Sequence, residues 1–167
     1  MEGFSFSTEI RVRFAETDAQ GIAHHASFVV WLEVARIAYL EAHAGGYAAL
    51  RERGIEALTT EVHLRYRRAA AFDDLLTVWT RCSGLRGARF RYEYAIERGG
   101  ELVAEGHTSH ALVDRETYRP RRAPDWLVDA IARAEGKVSG LAPREETSPS
   151  LPSPLSGTAR RRSSPEP

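Results

Sequence analysis

The chain has 167 residues, of which 43% are hydrophobic, and 23 basic residues balance 23 acidic ones, so it carries no formal net charge. That length fits one domain with some excess, and the charge balance argues against a general nucleic-acid binder or a polybasic membrane-surface protein. A single cysteine, Cys82, rules out an intrachain disulfide and suits a reducing compartment; with no signal-like or membrane-length apolar run, the expected location is the cytoplasm.

The first element is a strand over residues 5–14, where Phe6, Ile10, Val12 and Phe14 alternate with Glu9, Arg11 and Arg13. Residues 27–43 follow as a helix that is apolar around most of its circumference. Glu33, Arg36 and Glu41 form its narrow polar strip, and such a helix is expected to be enclosed. Ser27 is the expected N-cap and Gly45–Gly46 the stop. A short helix runs from Tyr47 to Arg53. Four strands then succeed one another. In residues 60–67, Val62, Leu64 and Tyr66 oppose Glu61, His63 and Arg65. Residues 75–82 are apolar on both sides. In residues 88–97, Phe90, Tyr92, Tyr94 and Ile96 oppose Arg89, Arg91 and Glu93, and a hairpin turn at Arg98-Gly99-Gly100 leads into residues 101–114. Pro124 opens a closing amphipathic helix. From Lys137 onward the composition turns to Pro, Ser and Gly, and residues 137–167 read as a disordered tail behind a domain of residues 1–136. Arg160, Arg161 and Arg162 in that tail read as a solvated charge run.

One strand, one apolar helix and four consecutive strands predict an α+β fold with an antiparallel sheet wrapped around the helix. A doubly wound fold needs helices between successive strands, and residues 60–114 have none.

The chemistry concentrates between the first strand and the long helix. Asp18 lies in a loop, Gly21 follows, and His24 and His25 stand at the helix entrance. A helix N-terminus offers unpaired N–H groups and partial positive charge, so it can polarise a carbonyl oxygen. A carboxylate in the same small volume completes a kit for acyl transfer. Taken alone, Asp18 reads first as a loop acid forming an Asx-turn or capping a nearby amide, and the two histidines as locally hydrogen-bonded or partly exposed. No ligand spacing points to a metal. His107 and His110 are three apart in a strand and face opposite sides. Cys82 reads as inert core.

The run RVRFAETDAQGIAHHASFVVWLEVARIAYL resembles the opening of the 4-hydroxybenzoyl-CoA thioesterase-like branch of the hotdog-fold acyl-CoA thioesterases, through Thr17, Asp18, Gly21, His25, Phe28, Glu33 and Arg36. YRRAAAFDDLLTV resembles a second motif of that family, with Ala69 where proline is usual. The resemblance spans residues 8 to about 128 and implies a five-stranded antiparallel sheet around one long helix. It also implies homodimers joined sheet edge to sheet edge, often paired into homotetramers, with active sites at the dimer interface. The implied activity is hydrolysis of an acyl thioester of coenzyme A, or of acyl carrier protein in a polyketide or fatty-acid pathway, without cofactor or metal. A non-catalytic acyl-ligand binder is the rival of a different class. By position, Asp18 matches the catalytic carboxylate and His25 the residue whose amide faces the thioester carbonyl. His24, Gly21 and Phe28 match the substrate-binding stretch, with His24 lining the acyl pocket. Arg86, Arg89 and Arg91 match basic residues that meet coenzyme A phosphates. Phe14 stands where some members carry a tyrosine, so a hydroxyl is missing there.

Overall fold

A computed structural model describes residues 1–137; the expected tail, Lys137 apart, lies outside the described residues. The elements are β1 (Phe6–Arg11), α1 (His25–Ala44), α2 (Gly46–Glu52), β2 (Ile55–Tyr66), β3 (Leu75–Arg86), β4 (Arg89–Arg98), β5 (Glu101–Asp114) and α3 (Asp125–Ala134). The strands form one sheet in the order β1-β3-β4-β5-β2, antiparallel throughout. This is the architecture that the strand count and the resemblance predict.

Alternation decides which face of the sheet meets the helix. Leu76, Val78, Thr80 and Cys82 of β3 and Tyr92, Tyr94 and Ile96 of β4 are buried beneath α1. The helix answers with Phe28, Trp31, Leu32, Ala35 and Tyr39, a stripe at three- and four-residue spacing. Burial raises the Cys82 thiol to about 12, so it is protonated core. Among the described residues no helix is long and apolar enough to cross a membrane.

The edge of β3 needs a cover, because β1 pairs with it only as far as Thr80. Helix α3 supplies one. Glu135, at its C-cap, accepts hydrogen bonds from the Cys82 backbone N–H (2.8 Å) and from the Tyr39 hydroxyl. A backbone donor that would otherwise be buried without a partner is thereby satisfied.

Four expectations need correction. β1 stops at Arg11, and the chain turns through a 3-10 segment at Phe14–Glu16, so Phe14 is 76% exposed instead of facing the core. β2 begins five residues earlier than its alternation suggests; a bulge between Thr59 and Glu61 breaks the period. The N-cap of α1 is His24, not Ser27. The sheet covers one face of α1 only, and Val29, Val30, Val34 and Ile37 remain 41–50% exposed. Within one chain the helix is therefore not enclosed.

Candidate active site

The loop between β1 and α1 is held by Glu16. Its carboxylate accepts from the Arg13 backbone N–H (2.8 Å), the Arg13 guanidinium (2.7 Å) and the Trp31 indole N–H (3.1 Å). Its carbonyl accepts from His24 N–H (2.8 Å) and the Ser27 hydroxyl (3.0 Å). Burial by itself would raise the Glu16 carboxyl; the hydrogen bonds from Arg13 and Trp31 outweigh it and hold it below the usual carboxylate value. Replacing Glu16 with Ala strands the indole of Trp31, which is 1% exposed. The expected loss is about 2–3 kcal/mol, read as a lower urea midpoint, with Glu16→Gln recovering part of it because an acceptor remains.

Above this anchor the loop closes tightly. Gly21 N–H donates to the Asp18 carbonyl (2.9 Å) and Asp18 N–H to the Ile22 carbonyl (2.9 Å). Gly21 sits at φ +76°, which an L side chain rarely adopts, so glycine is required by the turn. Gln20 N–H donates to Asp18 Oδ1 at 2.8 Å. Asp18 therefore does make the Asx-turn that a loop acid suggests. Its other oxygen, Oδ2, has no hydrogen bond from a described residue.

Asp18 and His25 line one groove of about 390 Å³, together with Phe28, Tyr66, Arg67 and Arg68. At the helix entrance, His24 Nδ1 accepts from Ala26 N–H (3.2 Å) and the His24 carbonyl from Ser27 N–H (2.9 Å). An accepting Nδ1 puts the proton of neutral His24 on Nε2. The amides of the second and third helical residues are thus occupied, while that of His25 has no partner among the described residues. The first turn leaves one free donor beside the groove that Asp18 lines.

Tyr66, from the end of β2, donates its hydroxyl to the His25 carbonyl (3.0 Å) and packs edge-on to Phe28, with ring centres 5.1 Å apart. Burial raises its pKa. It brings a hydroxyl to the groove, although position 14 lacks one. The second motif supplies the far wall. Asp74 Oδ2 accepts from Ala71 N–H (2.7 Å) and from Arg98 (2.6 Å), which pins the segment bearing Ala69 and Ala70 against Ala23.

The other expected site residues lie elsewhere. His24 does not line the groove; it caps the helix and its ring packs on that of His25, 4.1 Å between centres. Gly21 serves the turn. Arg89 and Arg91 line a separate groove with Ser83 and Ser109, and Arg86 ends β3. The 12 residues of β3 span about 36–40 Å, so within one chain these arginines are not brought to Asp18. The bases that do line its groove are Arg67, paired with Glu105, and Arg68, 2.8 Å from Glu101. Tyr66, Arg67 and Arg68 open the second motif, whose sequence marks them only as the end of a strand.

Comparison with known proteins adds independent information. The model of the thioesterase-like superfamily matches residues 12–131. YneP of Bacillus subtilis is 33% identical over 123 residues, which cover 71% of this chain and 89% of that protein. The acyl-CoA thioesterase YbgC of Haemophilus influenzae is 31% identical over 123 residues, 73% of this chain and 89% of that one. A Thermus thermophilus thioesterase solved in complex with coenzyme A and Zn superposes with a TM-score of 0.71 at 28% identity, covering 82% of this chain and 98% of that one.

Proposed function

The chain belongs to the thioesterase-like superfamily, and from that premise we propose that it hydrolyses acyl-CoA thioesters in the groove lined by Asp18 and His25. The reading rests on one observation above all. An acid with an uncommitted carboxylate oxygen lines the same groove as the one first-turn amide that lacks a partner among the described residues. In this mechanism the thioester carbonyl oxygen accepts from His25 N–H, and charge builds on it as the carbonyl carbon is attacked. Asp18 either draws a proton from an attacking water or attacks the carbon itself, in which case loss of the thiolate leaves a mixed anhydride on Asp18 that a water then hydrolyses. The C–S bond breaks, the thiolate leaves and takes up a proton, and the products are a free acid and a thiol. Phe28 and Tyr66 offer an apolar floor for the acyl group. Arg67 and Arg68, at the rim, carry charge suited to phosphates.

The assembly is part of the proposal. Strand β2 ends the sheet with an edge that is unpaired among the described residues, and its helix-facing Val62 and Tyr66 are 42% and 47% exposed. The open stripe of α1 adds Val29, Val30, Val34 and Ile37. A second copy pairing along β2 covers both, and a homotetramer adds a further pairing of such dimers.

The test is a hydrolysis screen over short, long, aromatic and hydroxylated acyl-CoAs, each also presented on acyl carrier protein. Thiol release from at least one acyl-CoA, faster than from the matching carrier protein, is the expected result. Tight binding without turnover across the panel would instead make the chain an acyl-ligand binder.

A further inference from the structure

The outer face of the sheet, away from α1 and the groove, carries a histidine pair that the hydrolase reading does not use. His63 of β2 and His107 of β5 are directly opposed in the antiparallel register. Their rings lie 5.2 Å apart, within 16° of parallel. Neither ring has a hydrogen-bond partner among the described residues, so all four nitrogens are uncommitted. Gly106 brings the strands close at this point: a Cβ there would lie 2.0 Å from the His63 carbonyl oxygen.

We propose that His63 and His107 form a bidentate site for one divalent transition-metal ion of the kind that imidazole prefers, Cu²⁺, Ni²⁺ or Zn²⁺. Two imidazoles on one ion, with metal–nitrogen distances of about 2.0–2.1 Å, hold their ring centres about 4.5–5.2 Å apart between square and tetrahedral angles. The observed separation already falls at the upper end of that range. The rings stand face to face, so coordination requires a rotation about χ2 to aim one nitrogen of each at a shared point. That torsion is broad for histidine and costs little. The backbone of two paired strands fixes the separation of the Cα atoms in advance, so the second imidazole binds as an intramolecular ligand. No cluster of three or more metal-ligating side chains exists among the described residues. The site is accordingly a two-ligand one, with water in the remaining positions. Two residues away on the same face, Glu61 accepts from the Ser109 hydroxyl and Glu105 is paired with Arg67, with Arg65 opposite Glu105 in the register. Pairing of a second copy along the β2 edge uses backbone groups and leaves these outward side chains in place.

The experiment adds Cu²⁺ alone to the full chain near neutral pH and follows calorimetry and electron paramagnetic resonance. One equivalent per chain with two equatorial nitrogen donors is expected. His63→Gln and His107→Gln, checked for unchanged far-ultraviolet circular dichroism, are each expected to weaken that equivalent by about tenfold or more and to remove one nitrogen from the spectrum. Copper uptake and spectrum unchanged in both variants would overturn the site, as would a parent protein that binds no more tightly than the double variant. Thioester hydrolysis by the metal-free variants is expected to match the parent, so failure of this site leaves the hydrolase reading untouched.

Discussion

Asp18→Asn is expected to lower kcat for acyl-CoA hydrolysis by a factor of about 10²–10⁴ while leaving the protein folded and its oligomeric state unchanged. The substitution is selective because of how the loop is built. Gln20 N–H donates to Asp18 Oδ1, and an asparagine carbonyl accepts that bond equally well, so the Asx-turn and the path into α1 persist. What is lost is negative charge and basicity at the second oxygen, Oδ2. Steady-state turnover, paired with thermal melting and sedimentation, separates the two effects. Wild-type turnover in a folded Asp18→Asn protein would remove Asp18 from the mechanism. A single-turnover reaction in ¹⁸O water then distinguishes the two roles. Label in the Asp18 side chain marks a nucleophile; label in the product alone is the result for a base, and also for a nucleophile whose anhydride water opens at the acyl carbon.

The second large effect is on stability and involves a group far from the groove. His110 is 2% exposed on the helix-facing side of β5. Arg36 Nη1 lies 3.2 Å from its Nδ1, and its Nε2 lies 2.7 Å from Thr108 Oγ1, which in turn is 3.0 Å from the Tyr94 hydroxyl. Arginine only donates, so Nδ1 accepts and Nε2–H donates to Thr108. Burial first, and the Arg36 charge second, push the imidazole down to about 3 from an ordinary 6.5. Below pH 6.5 the unfolded chain therefore takes up a proton that the folded chain refuses. Stability from this group is complete above pH 6.5 and is lost as pH falls toward 3, at about 1.4 kcal/mol per pH unit. Glu16 and Asp74, both held below their ordinary values, add their losses only below about 4.5. Between pH 6.5 and 4.5 His110 accounts for about 3 kcal/mol. Urea unfolding across that window is expected to flatten in His110→Gln, which can still accept from Arg36 and donate to Thr108 but does not titrate. An equal slope in that variant would show that the decline comes from elsewhere.

Legibility from sequence follows contiguity along the chain. β4 is readable because Phe90, Tyr92, Tyr94 and Ile96 alternate without interruption. The grouping of Asp18, Gly21 and His25 is readable because eight residues hold all three. Partners that meet across the fold leave no such trace. Glu16 and Trp31 are 15 residues apart, His25 and Tyr66 are 41 apart, and Cys82 and Glu135 are 53 apart. No periodicity marks those pairs. The cap is misread for a related reason: side-chain oxygens dominate N-caps, so Ser27 looks apt, whereas an imidazole nitrogen of His24 accepts the capping bond and the Ser27 hydroxyl reaches back to Glu16. The wide apolar surface of α1 is visible in composition. Only the fold shows that one chain covers one side of it.

The two margins of the sheet are finished differently. At one, a six-residue strand and the carboxylate of Glu135 leave little for a neighbour to grip; at the other, β2 presents twelve residues of open ladder. Because only one margin is sticky, growth along the hydrogen-bonding direction is self-limiting. In the proposed dimer, two chains related by a dyad would consume each other's raw border and expose none, so that contact would be isologous and would close instead of propagating into a fibre.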